Sequence, residues 1–589
     1  MTPTSAPTRG ARWGARWVDV AVVAGLLLAV VIPPAATAHW LHPAGDIPAD
    51  RLTAGIWITK VMLAVSLLAV WVVRWLFPAD AAPFSNTSAH TASSAGPSAA
   101  PSAPQSAPWW PIALLLAVGL ALRIPALGEG PWYDEIQTQI TYVRLPFGAL
   151  LTTYDSTNQH LLFSLSAHAV QLLAGESTAT LRLPAVIFGV LSLWATVSFG
   201  RRWMTEREAW WSAALLAVSY HHVWFSQNAR GYTALLLGTI VGTSLFLPML
   251  RGVRRTTLDL WAYAIVMALT VMTHVTALAV VAAHGLCWLW RWRSLERGTT
   301  RWAPLAALVL AGMLSVLVYA PVLPQLLGGM DSAQAPKAAN EWQNPAWFIA
   351  EAIRSLVLGI PGGLIVVPTA GAVAAVGLAM AWQRDRIATV LMLLPLFIMA
   401  ALVLGTGHNL WPRFFFFGAA FIVQLAVRGG FGVLSLVFSR VTPPHGARNA
   451  QRLGDAGLVL ITVASLVILP RAWQPKQDYA AAVAWVEQHA APGDAIVVTD
   501  LARMPVREWL KKDWPVVNTV SELDSIMAVH PKTWVLYTFR IRLETMTPEL
   551  NRQFDARFSP VFDIPSTVGG GEIVILSAPV NSPTSSRTK

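Results

Sequence analysis

Asp134 and Glu135 are two adjacent carboxylates at the end of Leu127-Gly128-Glu129-Gly130-Pro131-Trp132-Tyr133-Asp134-Glu135, a segment that follows an apolar run. Carboxylates at a membrane boundary are costly to desolvate, so by default they mark a wet functional cavity. A carboxylate placed there deprotonates a hydroxyl as a general base, or holds a divalent cation through oxygen. The competing reading is a helix start, because acidic residues favour the first turn. Residue types alone leave both open. Further on, Asn158 and His160 in Asp155-Ser156-Thr157-Asn158-Gln159-His160 have the chemistry to contact phosphate or sugar, although a histidine beside an apolar run is more often merely interfacial. Arg230, in Ser226-Gln227-Asn228-Ala229-Arg230-Gly231-Tyr232, stands where two apolar runs meet and needs an anionic partner. A phosphate diester suits it, since guanidinium presents paired donors. Arg413, in His408-Asn409-Leu410-Trp411-Pro412-Arg413, repeats the arrangement, with snorkelling to the interface as its alternative. His274 at a tight turn and Lys337 in a long polar loop are lesser candidates.

Apolar helices must position these residues. Runs of near-spanning length fall at about 18–38, 56–77, 109–126, 183–203, 208–224, 232–250, 258–273, 274–292, 302–321, 362–382, 387–405, 413–437 and 455–470. These predict a polytopic α-helical membrane protein with about 13 transmembrane helices. The first run follows Arg9, Arg12 and Arg16 but outlasts a signal-peptide core, so it reads as a retained helix. Placing that basic N-terminus in the cytoplasm makes every alternate loop basic: Arg201, Arg202 and Arg207; Arg251, Arg254 and Arg255; 291–301; Arg384 and Arg386. Residues 127–182, 225–231, 322–361, 406–412 and everything after 470 then face outward. The polar candidates named above lie in or border those segments, apart from His274, which stands at the outer turn between the runs 258–273 and 274–292. Between Leu161 and Leu173 an amphipathic stretch reads as lying along the interface.

Only 12% of residues are charged against 55% apolar, which excludes an ordinary soluble enzyme. The single Cys287 lies in an apolar run and permits neither a disulfide framework nor a cysteine metal site. A net charge of +11 is spread as single or paired arginines at helix ends, which points to topology rather than to nucleic acid. Four regions emerge: an N-terminal transmembrane hairpin (1–78), an Ala/Ser/Pro-rich linker (79–108), the helical core (109–470) and a small α/β domain (471–589). In the last, a helix over Asp478–His489, a strand Ala495–Thr499 and a helical run near Met504 are followed by strands at Val516–Val520, Trp534–Thr538 and Glu572–Leu576. Asp500-Leu501-Ala502-Arg503 after the first strand is no Gly-rich phosphate turn, so no nucleotide cofactor is expected, and the domain reads as a binding or stabilising cap.

Taken together, Asp134-Glu135, Asn158 to His160, Gly175-Glu176-Ser177, Leu181-Arg182-Leu183-Pro184-Ala185, Ser226 to Tyr232, Pro412-Arg413-Phe414 and Pro492-Gly493-Asp494 resemble the bacterial membrane glycosyltransferases of the GT-C fold. The likeness is to glycosyltransferase family 39, related to protein O-mannosyltransferases and the lipid A aminoarabinose transferase, and covers about residues 109–500. It implies transfer of a sugar from a polyprenyl-phosphate donor to a hydroxyl of a glycolipid, polysaccharide or protein on the outer face of the cytoplasmic membrane, with inversion. It implies Asp134 as the base and Glu135 as its support or, with Asp134, as ligand to a divalent metal ion. It also implies Arg230 and Arg413 as holders of the lipid phosphate, with Asn158, His160 and Tyr232 nearby. The family's His-Pro-Pro-type run is here Gln159-His160-Leu161-Leu162, and the N-terminal hairpin lies outside the pattern. A lipid-linked sugar transporter would need the same cations but also inverted repeats and broken helices at the midplane, which the sequence lacks. A polysaccharide ligase is close chemistry, and a non-catalytic envelope assembly protein is the third class.

Overall fold

A run of about 20 apolar residues satisfies its backbone polar groups only by coiling on itself, so the long runs become helices. The computed structural model describes residues 19–20, 22–27, 31–45, 47–77, 108–156, 158–332, 344–359, 362–406, 411–442 and 445–578. Lys337, His408, Asn409 and nearly all of the 79–108 linker lie outside these. Among the described residues nine helices are long and apolar enough to cross a membrane, including Thr178–Gly200, Tyr232–Leu250, Thr299–Gly328, Gly363–Arg384 and Pro412–Val441. Trp110–Ala121, Leu161–Ala174 and Thr257–Thr273 are apolar but shorter. The architecture is a multi-pass helical bundle with a small α/β unit at its C-terminal end.

Several expected spans differ in ways that matter. The run at 208–224 is two helices, Glu206–Val218 and Tyr220–Ser226, because Ser219 is extended and its hydroxyl caps the second by accepting from His222 N–H. In the run at 18–38, the described part restarts at Pro33-Pro34 as the short helix Pro34–Leu41, proline being tolerated only in a first turn. Helix Ala49–Leu76 packs on Thr299–Tyr319, and Gly55 sits against the Pro321 carbonyl, where a Cβ would clash. Residues 127–182, expected as a loop with one interfacial helix, hold Tyr133–Gln137, the π-helical turn Thr138–Val143, Phe147–Thr152 and Leu161–Ala174.

The C-terminal unit is a four-stranded sheet of order β1-β2-β4-β3, with β1 Ala495–Val498, β2 Thr533–Thr538, β3 Ser559–Ile564 and β4 Ile573–Ser577. β1 and β2 are parallel, joined by a helical crossover, and β4 runs antiparallel to both β2 and β3. The strand expected at Val516–Val520 is only an isolated bridge, Val498 to Val516. One face of this sheet shares a buried apolar cluster with the core: Ile136 packs among Tyr479, Val483, Val486, Val498 and Ile573. The helix bearing Asp134 is thereby seated on the C-terminal domain.

Candidate active site

The two carboxylates of the pair part company. Glu135 is fully buried and its oxygens are taken: Arg182 donates Nε at 2.8 Å and Nη2 at 2.6 Å, Ala229 N–H at 2.6 Å, and Trp132 N–H at 3.3 Å. The helix-start reading thus holds for Glu135. Burial by itself raises its pKa, but the Arg182 and Lys476 charges and the Arg182 and Ala229 hydrogen bonds prevail and hold the carboxyl below its usual value. Glu135 is thus held by Arg182 and two backbone N–H groups, whereas Asp134 faces Arg413. Among the described residues no three His, Cys, Asp or Glu side chains cluster as metal ligands. Arg182 also donates to the carbonyls of Leu127, Glu129 and Gly130, so one guanidinium anchors the whole approach to Asp134.

Asp134 keeps its side chain partly open, and Arg413 Nη1 lies 3.6 Å from its Oδ2. Arg230 is buried. Its Nη1 donates to Thr138 Oγ1 at 3.1 Å and to the Asn158 carbonyl at 2.7 Å, while Asn158 itself is held by Gln137. The Nε atoms of Arg230 and Arg413 are both buried with no hydrogen-bond partner among the described residues. An orphaned guanidinium N–H in a buried place is an expensive arrangement unless an anion completes it.

The histidines sharpen this. Gly231 N–H donates to His160 Nδ1 at 2.9 Å, so in the neutral ring Nε2 carries the proton. That Nε2 meets Arg230 Nη2, another donor, at 2.9 Å. Burial, then the charges of Arg230, His274 and Arg413, push the His160 pKa well below its usual value, which keeps the ring neutral. Two donors converging at hydrogen-bond distance are satisfied by an anionic oxygen accepting from both. His274 lies 4.6 Å and Tyr232 5.6 Å from the His160 ring centroid, walling this point, and His274 in turn faces Phe414. The structure therefore gathers Asp134, Asn158, His160, Arg230, Tyr232, His274 and Arg413 from five stretches of chain.

Sequence reasoning passed over the residues that hold this set in place. Lys476 is buried just beyond the last long helix, donates to the Gln227 carbonyl at 2.7 Å and lies 5.2 Å over the Trp224 ring. Burial and the Arg182 charge bring its pKa down to about 7, with Glu135 pulling the other way. Gln477 accepts from Tyr133 N–H at 3.1 Å and donates to Thr538 Oγ1 and the Gly571 carbonyl, tying the start of the Asp134 helix to the ends of β2 and β4. Arg123, also buried, joins Ser226, His222 and the Gly119 and Ala217 carbonyls and so fixes the chain entering Arg230. A lone lysine directly after the final apolar run was the one available signal.

No protein-family model matches the chain, and no curated protein matches it. Among solved structures, ArnT from Cupriavidus metallidurans bound to undecaprenyl phosphate aligns over 80% of this chain and 98% of its own, at 13% identity and a TM-score of 0.45. The oligosaccharyltransferase of Archaeoglobus fulgidus, tethered to an acceptor peptide, aligns over 79% and 74%, at 13% identity and a TM-score of 0.45. The arabinosyltransferase EmbB of Mycobacterium smegmatis aligns over 78% and 46%, at 13% identity and a TM-score of 0.42. Two of the three are named as sugar transferases, and the other is bound to undecaprenyl phosphate. At these identities and scores the chain is similar to them in layout, and no activity passes to it from them.

Proposed function

We propose that this protein is a membrane glycosyltransferase that moves a sugar from a polyprenyl-phosphate donor to an acceptor hydroxyl on the outer face of the cytoplasmic membrane. The observation that carries the reading is the convergence of unsatisfied donors beside a carboxylate. Among the described residues Arg230 and Arg413 each keep a buried Nε without a partner, His160 Nε2 lies 2.9 Å from Arg230 Nη2, and Asp134 stands 3.6 Å from Arg413. The donor phosphate lies among the two guanidiniums and His160, and the acceptor hydroxyl approaches Asp134. The acceptor oxygen forms the new bond to the anomeric carbon as the bond to the phosphate oxygen breaks, and Asp134 takes the hydroxyl proton. A single displacement inverts the anomeric centre. Charge grows on the departing phosphate, where Arg230 and Arg413 are already fixed and need little reorganisation. Glu135, Arg182, Lys476 and Gln477 act as positioning residues.

Orientation follows from charge: the basic stretches at 201–207, 251–255, 291–301 and 384–386 favour the cytoplasm, which leaves the site and the C-terminal domain outside. The region boundaries at 78, 108 and 470 belong to the same proposal. Purified protein in lipid, given a panel of radiolabelled polyprenyl-phosphate sugars, is expected to release or transfer sugar. Asp134→Asn should lower that by about 10²–10⁴-fold, the range of general-base catalysis, while the protein still folds. Full turnover by the Asn variant removes the base assignment. Donor movement across the bilayer without bond cleavage makes the protein a flippase instead.

A further inference from the structure

Beside the Asp134 helix a cleft of about 600 Å³ opens between the π-helical turn Thr138–Val143 and the corresponding turn of the C-terminal domain, Met504–Trp509. π-helical turns are rare and concentrate at functional sites, and here two of them face one another. Four lining residues are cations, Arg144, Arg503, Arg507 and Lys511, against one carboxylate, Glu508, among the described residues. Arg144 is held by Glu176 through Nε and Nη2, while Arg503 and Arg507 are more exposed. Arg507 pairs with Asp513, whose side chain is 96% exposed, and Arg503 with Glu508 while itself 57% exposed. Exposed pairs of this kind contribute little and exchange readily. Lys511 has no ion pair among the described residues and sits at φ +58°, a left-handed conformation that a non-glycine residue adopts at a cost and that clusters at ligand sites. The Arg144 guanidinium is steadied 5.8 Å over the Trp509 ring.

Thr138–Val143 continues directly from the helix carrying Asp134, and Arg503 is near enough to act electrostatically on the Tyr133 hydroxyl. The cleft wall thus continues in the chain from the helix that carries Asp134. We infer that this cleft is the acceptor site and that the acceptor is an anionic saccharide, its carboxylate or phosphate groups held by Arg503, Arg507 and Lys511 while its hydroxyl reaches Asp134. The inference rests on the transferase reading. A surplus of cations concentrates a ligand of the other sign, and guanidinium matches carboxylate and phosphate in two-point contacts.

The test is binding to the full chain in lipid nanodiscs, with trigalacturonate as the anionic probe and maltotriose as the neutral one. Trigalacturonate is expected to bind, more weakly as salt rises, and at least about tenfold more weakly to the double variant Arg507→Glu/Lys511→Glu, since local counter-charge is worth that much or more. Should that variant fail to fold, Arg507→Gln/Lys511→Gln is expected to move affinity the same way. Absence of trigalacturonate binding, equal binding of maltotriose, or no response to either double variant overturns the inference. Donor cleavage by the wild-type chain that Asp134→Asn abolishes is measured separately. Cleavage without trigalacturonate binding sinks the acceptor site alone, whereas binding without cleavage sinks the transferase reading and leaves an anionic-saccharide site.

Discussion

At Gly231 the need is for space and for an N–H, not for an unusual backbone angle. Its N–H donates to His160 Nδ1, and a Cβ there would lie 2.8 Å from that atom and 2.5 Å from Thr273 Cγ2. Neither neighbour can give way freely: His160 is buried against Arg230, and Thr273 ends a packed helix. Gly231→Ala is therefore expected to swing the His160 ring and misplace its Nε2 proton relative to Arg230. A displacement of about 1 Å at a reacting centre costs up to about 10²-fold, so donor KM should rise and kcat/KM should fall by that order. Steady-state kinetics at several donor concentrations read this directly, and a wild-type KM would show that His160 does not touch the donor.

At the scale of elements, the short helix Tyr133–Gln137 is too brief to hold itself and depends on its seat. That seat is made of Ile136 in the apolar cluster with Tyr479, Val483 and Ile573, and of Gln477 accepting from Tyr133 N–H. Gln477→Ala removes the polar tie without cutting the chain, and Asp134 should then sample positions in which it misses the acceptor proton. Activity should fall mainly in kcat, with a smaller rise in donor KM, because Arg230 touches this stretch only at its far end, through Thr138 and the Gln137–Asn158 tie. Ile136→Ala should do the same while costing about 2–5 kcal/mol of stability, as large-to-small core substitutions do. Loss in donor KM alone from either variant would show that Asp134 is placed by something else.

On the scale of the whole molecule, helical core and C-terminal domain meet over a buried charge cluster of Glu135, Arg182 and Lys476. The Lys476 ammonium titrates at about 7 when folded against 10.5 when free, so the unfolded chain binds the additional proton between those values. Stability should thus rise with pH across that window, and the cost of the buried cation is fully present below it. Glu135 has the opposite sense: its depressed pKa stabilises above the ordinary carboxylate range and is lost as pH falls through the folded value. Thermal inactivation in lipid, followed from pH 7 to about 10, should show the rising limb in wild type and a flatter one in Lys476→Met. Identical slopes would remove Lys476 as the titrating group.

The apolar runs were legible without coordinates because backbone satisfaction in a bilayer leaves almost no alternative to helix. Asp134, Arg230 and Arg413 were legible for a related reason, since ionised groups beside such runs are too costly to be incidental. What the sequence left open was which way each carboxylate points. Asp134 and Glu135 are adjacent, yet one faces Arg413 and the other Arg182, because successive side chains on a helix point about 100° apart and only the surroundings label the directions. The supporting residues were illegible because their partners are remote: Arg182 reaches Glu135 across 47 residues, Lys476 reaches Gln227 across 249 and Gln477 reaches Tyr133 across 344. β3 was missed as an exposed edge strand opening on Ser559-Pro560, which buries little and shows no alternation. Local pattern decides which segments coil and which residues are costly, whereas the pairing of a buried charge is a property of distant chain brought together, and only the tertiary structure supplies it.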